Sequence, residues 1–147
     1  MTMTVGDRPP RRTVTDHAAS EHASPWAEQV TGVDDAVAGG DAAAMLRAWH
    51  AACLEALGSQ QWEPMIAVGD AALRVGRATG FTIAFGAKAR QAYHVALFRA
   101  HKQAAADGVR RAAERFGGLG DREVAEEALR MAHGIAERTS VRDLRPQ

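Results

Sequence analysis

One cysteine and six histidines are the residues with which metal or nucleophilic chemistry would have to start in this chain. His50 and Cys53 are three apart, which on a helix puts them on one face, where they could chelate Zn or Cu together with a partner from the middle helix. The candidates for that partner are His94 and His101. They are seven apart, about 10.5 Å along a helix axis, so one ion cannot be ligated by both. Cys53 falls on the apolar side of its helix, where a lone cysteine behaves as a small core residue. As a nucleophile it would need a nearby base and oxyanion donors, and the sequence marks neither. His133 and Glu137, four apart, form a solvated helix pair. The glycines and lysine of 80–88 loosely imitate a phosphate loop, but Ala87 separates Gly86 from Lys88 and no Lys-Ser/Thr pair closes it. Trp26, Trp49 and Trp62 read as packing anchors rather than an aromatic cage. No catalytic residue, metal ligand or cofactor site is assigned from these patterns.

The charges carry more information. Lys plus Arg and Asp plus Glu both number 18, so nothing in the total favours a general polyanion binder. Their distribution is polarised. From Asp16 to Glu63 there are eight acids against the single base Arg47, and from Arg74 to Arg115 nine bases against Asp107 and Glu114. Such blocks form solvated faces and intramolecular pairs, for which Arg110 with Glu114 and Glu126 with Arg130 have the i, i+4 spacing. They can also steer an acidic partner segment to the basic middle, or bring two copies together head to tail. The basic stretch has no recognition-helix motif and its aromatics keep core-like spacing, which disfavours nucleic acid.

The elements that must position these groups are helices. Alanine is abundant and aromatics few, the composition of helices whose axes approach closely. Ser24-Pro25 is an N-cap followed by proline at the first helical position, and Trp26, Val30, Val33 and Val37 make one stripe. Gly39-Gly40-Asp41 stops that helix and caps the next, over 42–57. After the short connection 58–61, Trp62-Glu63-Pro64 opens a helix with a broad apolar face. The spacing predicts the longest helix over 82–103, apolar around much of its circumference and therefore central. Residues 108–139 form a helical hairpin. Its first arm carries Val109, Ala112, Ala113 and Phe116, its second Val124, Ala125, Ala128, Leu129, Ala132, Ile135 and Ala136. Gly117, Gly118 and Gly120 end the first arm, and Asp121 is placed to N-cap the second.

Residues 1–23 lack a periodic apolar face and are expected to be a disordered tail; 139–147 are expected to fray. Residues 24–138 then make one domain. A single cysteine excludes an intrachain disulfide framework and suits a reducing compartment, with the cytoplasm as the default. No run approaches the length of a membrane span. Arg11-Arg12 is followed by acids and histidines where an export signal needs an apolar segment, so export is rejected.

The hairpin resembles a tetratricopeptide repeat, whose period of about 34 residues is built from two helices. The positions that match are Val109, Ala112, Ala113, Phe116, Gly120-Asp121, Ala125, Leu129 and Ala132. A poorer match starts at Trp49, with Ala52, Cys53, Ala56, Trp62, Met65, Gly69, Ala72 and Leu73. It lacks the aromatic, begins 60 residues before Val109 where two periods need about 68, and neither match has the terminal proline. The expectation is an all-α fold of about six helices in antiparallel hairpins with tetratricopeptide-like packing. The resemblance implies a noncatalytic adaptor whose first helices line a groove for a partner protein or peptide, and the basic middle of the chain would suit an acidic segment there. Arg47, His50 and Leu54 from one hairpin and Arg110, Arg111 and Glu114 from the other would face that partner. The alternative is a small helical metal carrier or enzyme using His50, Cys53 and a histidine of the long helix. Uncapped Ala-, Val- and Leu-rich terminal faces would also allow homo-oligomerisation.

Overall fold

A computed structural model describes residues 24–144. The tail expected at 1–23, and residues 145–147, lie outside the described residues. Six helices follow one another: α1 (Pro25–Gly39), α2 (Ala42–Ser59), α3 (Glu63–Thr79), α4 (Thr82–Lys102), α5 (Ala106–Leu119) and α6 (Arg122–Leu144). Among the described residues there is no strand, so the fold is all-α as expected.

Local chemistry explains most of the boundaries. Pro25 occupies the first turn of α1, and the Ser24 carbonyl accepts from the amides of Ala27 and Glu28, although its hydroxyl makes no capping bond. The Asp41 carboxylate caps α2 by accepting from the amides of Ala43 and Ala44 at 3.0 and 3.4 Å. Gly120 closes α5 at φ +86°, a conformation that costs a side-chain-bearing residue but not glycine, and the Asp121 amide then bonds back to the Phe116 carbonyl. Two boundaries depart from expectation. The α2 C-cap is Gln60, at φ +60°, while Gly58 stays inside the helix. Asp121 precedes α6, but its carboxylate is engaged by Arg90 of α4, at 2.6 and 3.2 Å.

The longest helix is α6, with 23 residues against 21 in α4. It continues through Leu144, past the point where fraying was expected. No glycine or proline interrupts 135–144, the next breaker in sequence being Pro146. The enclosed helix is α3 rather than α4. It packs against α1, α2, α4 and α5, because Gly69, Ala71, Ala72 and Gly76 let neighbours approach closely. A Cβ on Gly69 would lie 2.4 Å from Tyr93 Cε1, and one on Gly76 2.9 Å from Phe85 Cβ. On α4, by contrast, Ile83 and Phe98 face solvent.

The helices pair most extensively as α1/α2, α3/α4 and α5/α6. Helices α1, α3 and α5 touch in succession along one layer. The backbones of α2 and α4, in the other layer, do not come into contact. One apolar core runs through α1 to α4 and takes in Ala112 and Phe116 from α5. A second joins Ala100 of α4 to Val109 and Ala113 of α5 and to Ala128, Ala132 and Ile135 of α6. Trp62 packs against both. Each fully buried valine or phenylalanine in these cores contributes roughly 1.5–3 kcal/mol.

Candidate binding cleft between α2 and α4

Because the backbones of α2 and α4 straddle α3 without meeting, a cleft of about 420 Å³ opens between them. Trp49, Cys53 and Leu57 of α2 form one wall, Lys88, Gln91, His94 and Val95 of α4 the other, and Met65 and Ala92 complete the lining. One end is closed by aromatics. The Trp49 indole N–H donates to the Val68 carbonyl at 2.9 Å, which fixes the ring edge-on to Phe85 with centroids 6.1 Å apart. The Lys88 ammonium sits 5.4 Å from the centre of the Trp49 ring and 6.0 Å from that of Phe85, within cation–π range.

Past the other end, beyond Leu57 and Val95, Arg99 ties α4 to the end of α2. Its guanidinium donates to the carbonyls of Ala56 at 3.1 Å, Leu57 at 2.9 Å and Gln61 at 2.9 Å, while Gln103 donates to the Gln60 carbonyl at 3.2 Å. Ala56 and Leu57 lie in or beside the last turn of α2 and Gln60 and Gln61 just beyond it, where carbonyls run short of intrahelical donors. Arg99 of α4 and Gln103 at its C-terminal cap therefore terminate α2 from across the fold, which accounts for a non-glycine C-cap at Gln60. A larger recess, about 640 Å³, lies against Glu137, Arg138, Ser140, Val141 and Arg142. Among the described residues these belong to one stretch of α6, with no facing element to orient a ligand, so the α2/α4 cleft is the better-built site.

Cys53 and His94 line this cleft together, and His50 shares the helix face of Cys53 and Leu57. Among the described residues no three His, Cys, Asp or Glu side chains gather closely enough to hold one metal ion. Burial pushes the Cys53 thiol above its ordinary value, and the charge of Lys88 pulls it only partly back. A raised thiol holds little thiolate at neutral pH, the reverse of what a cysteine nucleophile needs.

Arg47, His50 and Leu54 are exposed on α2 and do not line the cleft. Arg110, Arg111 and Glu114 are exposed on α5. Helices α2 and α5 do not pack on one another, so these two sets are not brought to a common groove. Arg110 and Arg111 both pair with Asp107, at 2.7 and 3.2 Å, and Arg111 also lies over Trp62 with 5.6 Å to the ring centre. The acid-first order, with Asp107 in the first turn of α5, is the favourable one, so Arg110 turns to Asp107 rather than Glu114. Glu114 instead approaches Arg115 at 3.9 Å. Arg130 likewise pairs with Glu127 rather than Glu126, and His133 meets Glu137 at 3.3 Å as the spacing predicted.

The strongest polar cluster was not singled out by spacing. Asp70 of α3 accepts from the Tyr93 hydroxyl of α4 at 2.6 Å and from Arg115 of α5, whose Nε and Nη2 lie at 2.8 and 3.0 Å. Burial, then the hydrogen bond to Asp70, hold the Tyr93 phenol well above its ordinary value. The hydrogen bond to Asp70 likewise raises Arg115. A signal did exist, since Asp70 is the only acid between Glu63 and Asp107.

No protein-family model, curated protein or solved structure matches this chain. No helix among the described residues is long and apolar enough to cross a membrane.

Proposed function

We propose that this protein is a noncatalytic interaction module, of tetratricopeptide-like hairpin construction, that receives a segment of a partner protein in the α2/α4 cleft. The observation that carries the proposal is a cleft held open between helices of successive hairpins, fixed at one end by Trp49 and Phe85 and tied past the other by Arg99. Its lining is mainly apolar with a few polar groups, and its volume falls in the range of specific sites, roughly 300–1,000 Å³. Leu54 is 57% exposed and Leu57 42% exposed on the α2 shoulder, an apolar approach of the kind helix-in-groove recognition uses. The raised Cys53 thiol supports docking over nucleophilic catalysis.

The test compares capture of a partner by the full chain and by Leu54→Ser/Leu57→Ser, followed by hydrogen exchange on the complex. Capture should be lost in the variant, and α2 and α4 should be the helices protected on binding. A partner that binds the variant equally well, and protects α5 and α6 instead, would sink the assignment.

A further inference from the structure

We infer that the segment received by the α2/α4 cleft is an acidic amphipathic helix, with apolar side chains entering beside Leu57 and Val95 and a carboxylate reaching Lys88. This rests on the docking role proposed above and adds the sign of the partner's charge. Lys88 is the one fully charged side chain in the lining; Gln91 and His94 contribute further N–H donors, and no carboxylate lines the cleft. Among the described residues Lys88 has no acid within ion-pair distance and rests over the rings of Trp49 and Phe85.

Its neighbours in the basic block differ. Arg74 is paired with Asp34, Arg90 with Asp121, Arg115 with Asp70, and Arg99 is engaged by the α2 carbonyls. Arg77 and Lys102 have no acid partner among the described residues either, but neither lines the cleft, so Lys88 is the cation of that block placed to meet an incoming charge inside a partly apolar cleft, where an ion pair is screened less than on the open surface. The acid of α2 is of no help to it, because Glu55 lines a different recess, with Pro25 and Trp26. From Lys88 to Val95 the α4 wall runs seven residues, about 10.5 Å or two helical turns, enough for anchors at i, i+3 or i+4, and i+7.

The experiment selects a displayed library of random amphipathic helical peptides against the full chain and against Lys88→Glu, with Lys88→Gln as a second variant and circular dichroism confirming that each is folded. The wild type should enrich Asp or Glu one turn from paired apolar residues. Lys88→Glu should enrich Lys or Arg at that place, and Lys88→Gln should weaken the wild-type peptides about tenfold. Peptides whose binding is lost in Leu57→Gln, yet show no acidic preference that depends on residue 88, overturn the inference and leave the docking role intact. Peptides indifferent to Leu57→Gln, or no selected peptides at all, overturn the docking role itself.

Discussion

Replacing Asp70 by alanine probes the one polar network that joins three helices. The substitution removes the acceptor of the Tyr93 hydroxyl and both bonds from Arg115. Tyr93 is fully buried, so its hydroxyl loses its acceptor, at about 1–3 kcal/mol. The lost Arg115 pair, about one-third exposed on each side, adds about 1 kcal/mol at most. The expected destabilisation is therefore about 1–4 kcal/mol. Tyr93→Phe removes the hydroxyl together with its need for a partner and should cost only about 0.5–1.5 kcal/mol. In the Tyr93→Phe background Asp70→Ala then loses the arginine pair alone, so a double-mutant cycle should return a coupling of about 1–3 kcal/mol. Urea unfolding followed by far-ultraviolet circular dichroism measures all four corners. If Asp70→Ala costs the same with and without the hydroxyl at position 93, that buried group is not what makes Asp70 matter. The chain's single tyrosine allows a second check. A phenol raised in the fold favours the folded state fully below its unfolded value near 10, and that contribution is lost as pH rises above it. Tyrosinate absorbance should therefore stay absent through pH 10 in the folded chain and arrive with unfolding.

Arg99→Met should destabilise by about 1.5–3 kcal/mol and speed hydrogen exchange at the α2–α3 junction, whereas a cap that is merely solvent-exposed would leave exchange unchanged. Gly108→Ala would place a Cβ 2.6 Å from the Trp62 ring and 2.8 Å from Ala100 Cβ, so it should cost about 1–3 kcal/mol despite the better helix former. Gly86→Ala meets nothing within 4 Å and should instead stabilise by about 0.5–1 kcal/mol; thermal melts of the two variants should move in opposite directions. Ala104 holds φ +53°, and Ala104→Gly should relieve about 1 kcal/mol, a gain that a melt of unchanged midpoint would refute. Ellman's reagent should modify Cys53 more slowly than a free thiol at pH 8, and more slowly again in Lys88→Met, since Lys88 is the group that lowers the thiol.

What could be read from the sequence was what neighbouring residues decide. Pro25, Asp41, Gly40 and Gly120 act within a turn of their own position, so the boundaries they set are visible in local spacing. The periodic faces of α5 and α6 likewise pointed to a buried seam, and Val109, Ala113, Ala128, Ala132 and Ile135 form it. What could not be read was settled by groups far apart in the chain. Gln60 takes a left-handed conformation because Arg99 and Gln103, about forty residues on, hold the carbonyls around it. Asp121 looks like a cap by position but answers to Arg90, and Asp70 answers to residues 23 and 45 positions away. The cleft was hidden for a related reason. The pattern beginning at Trp49 suggested α2 with α3 as a unit, while packing pairs α2 with α1 and α3 with α4. Hairpins that begin at 25, 63 and 106 keep no fixed period, so counting from one to the next does not give their phase.

That phase decides where a groove can form. With α1/α2, α3/α4 and α5/α6 as hairpins, the first helices are α1, α3 and α5, and α3 is surrounded. A groove lined by first helices, as the resemblance implied, would have to open over a helix whose faces are already covered. The second helices behave differently. Long side chains bridge α2 and α4 where backbones do not meet: Trp49 reaches Phe85 and the Val68 carbonyl, and Arg99 reaches the end of α2. The space between those two struts is the cleft. Its walls are consequently also its supports, so truncating Trp49 should weaken binding and stability together, while changes at Leu54 and Leu57, which are exposed, should weaken binding alone. Measuring both quantities on the same variants separates a residue that shapes the cleft from one that meets the partner.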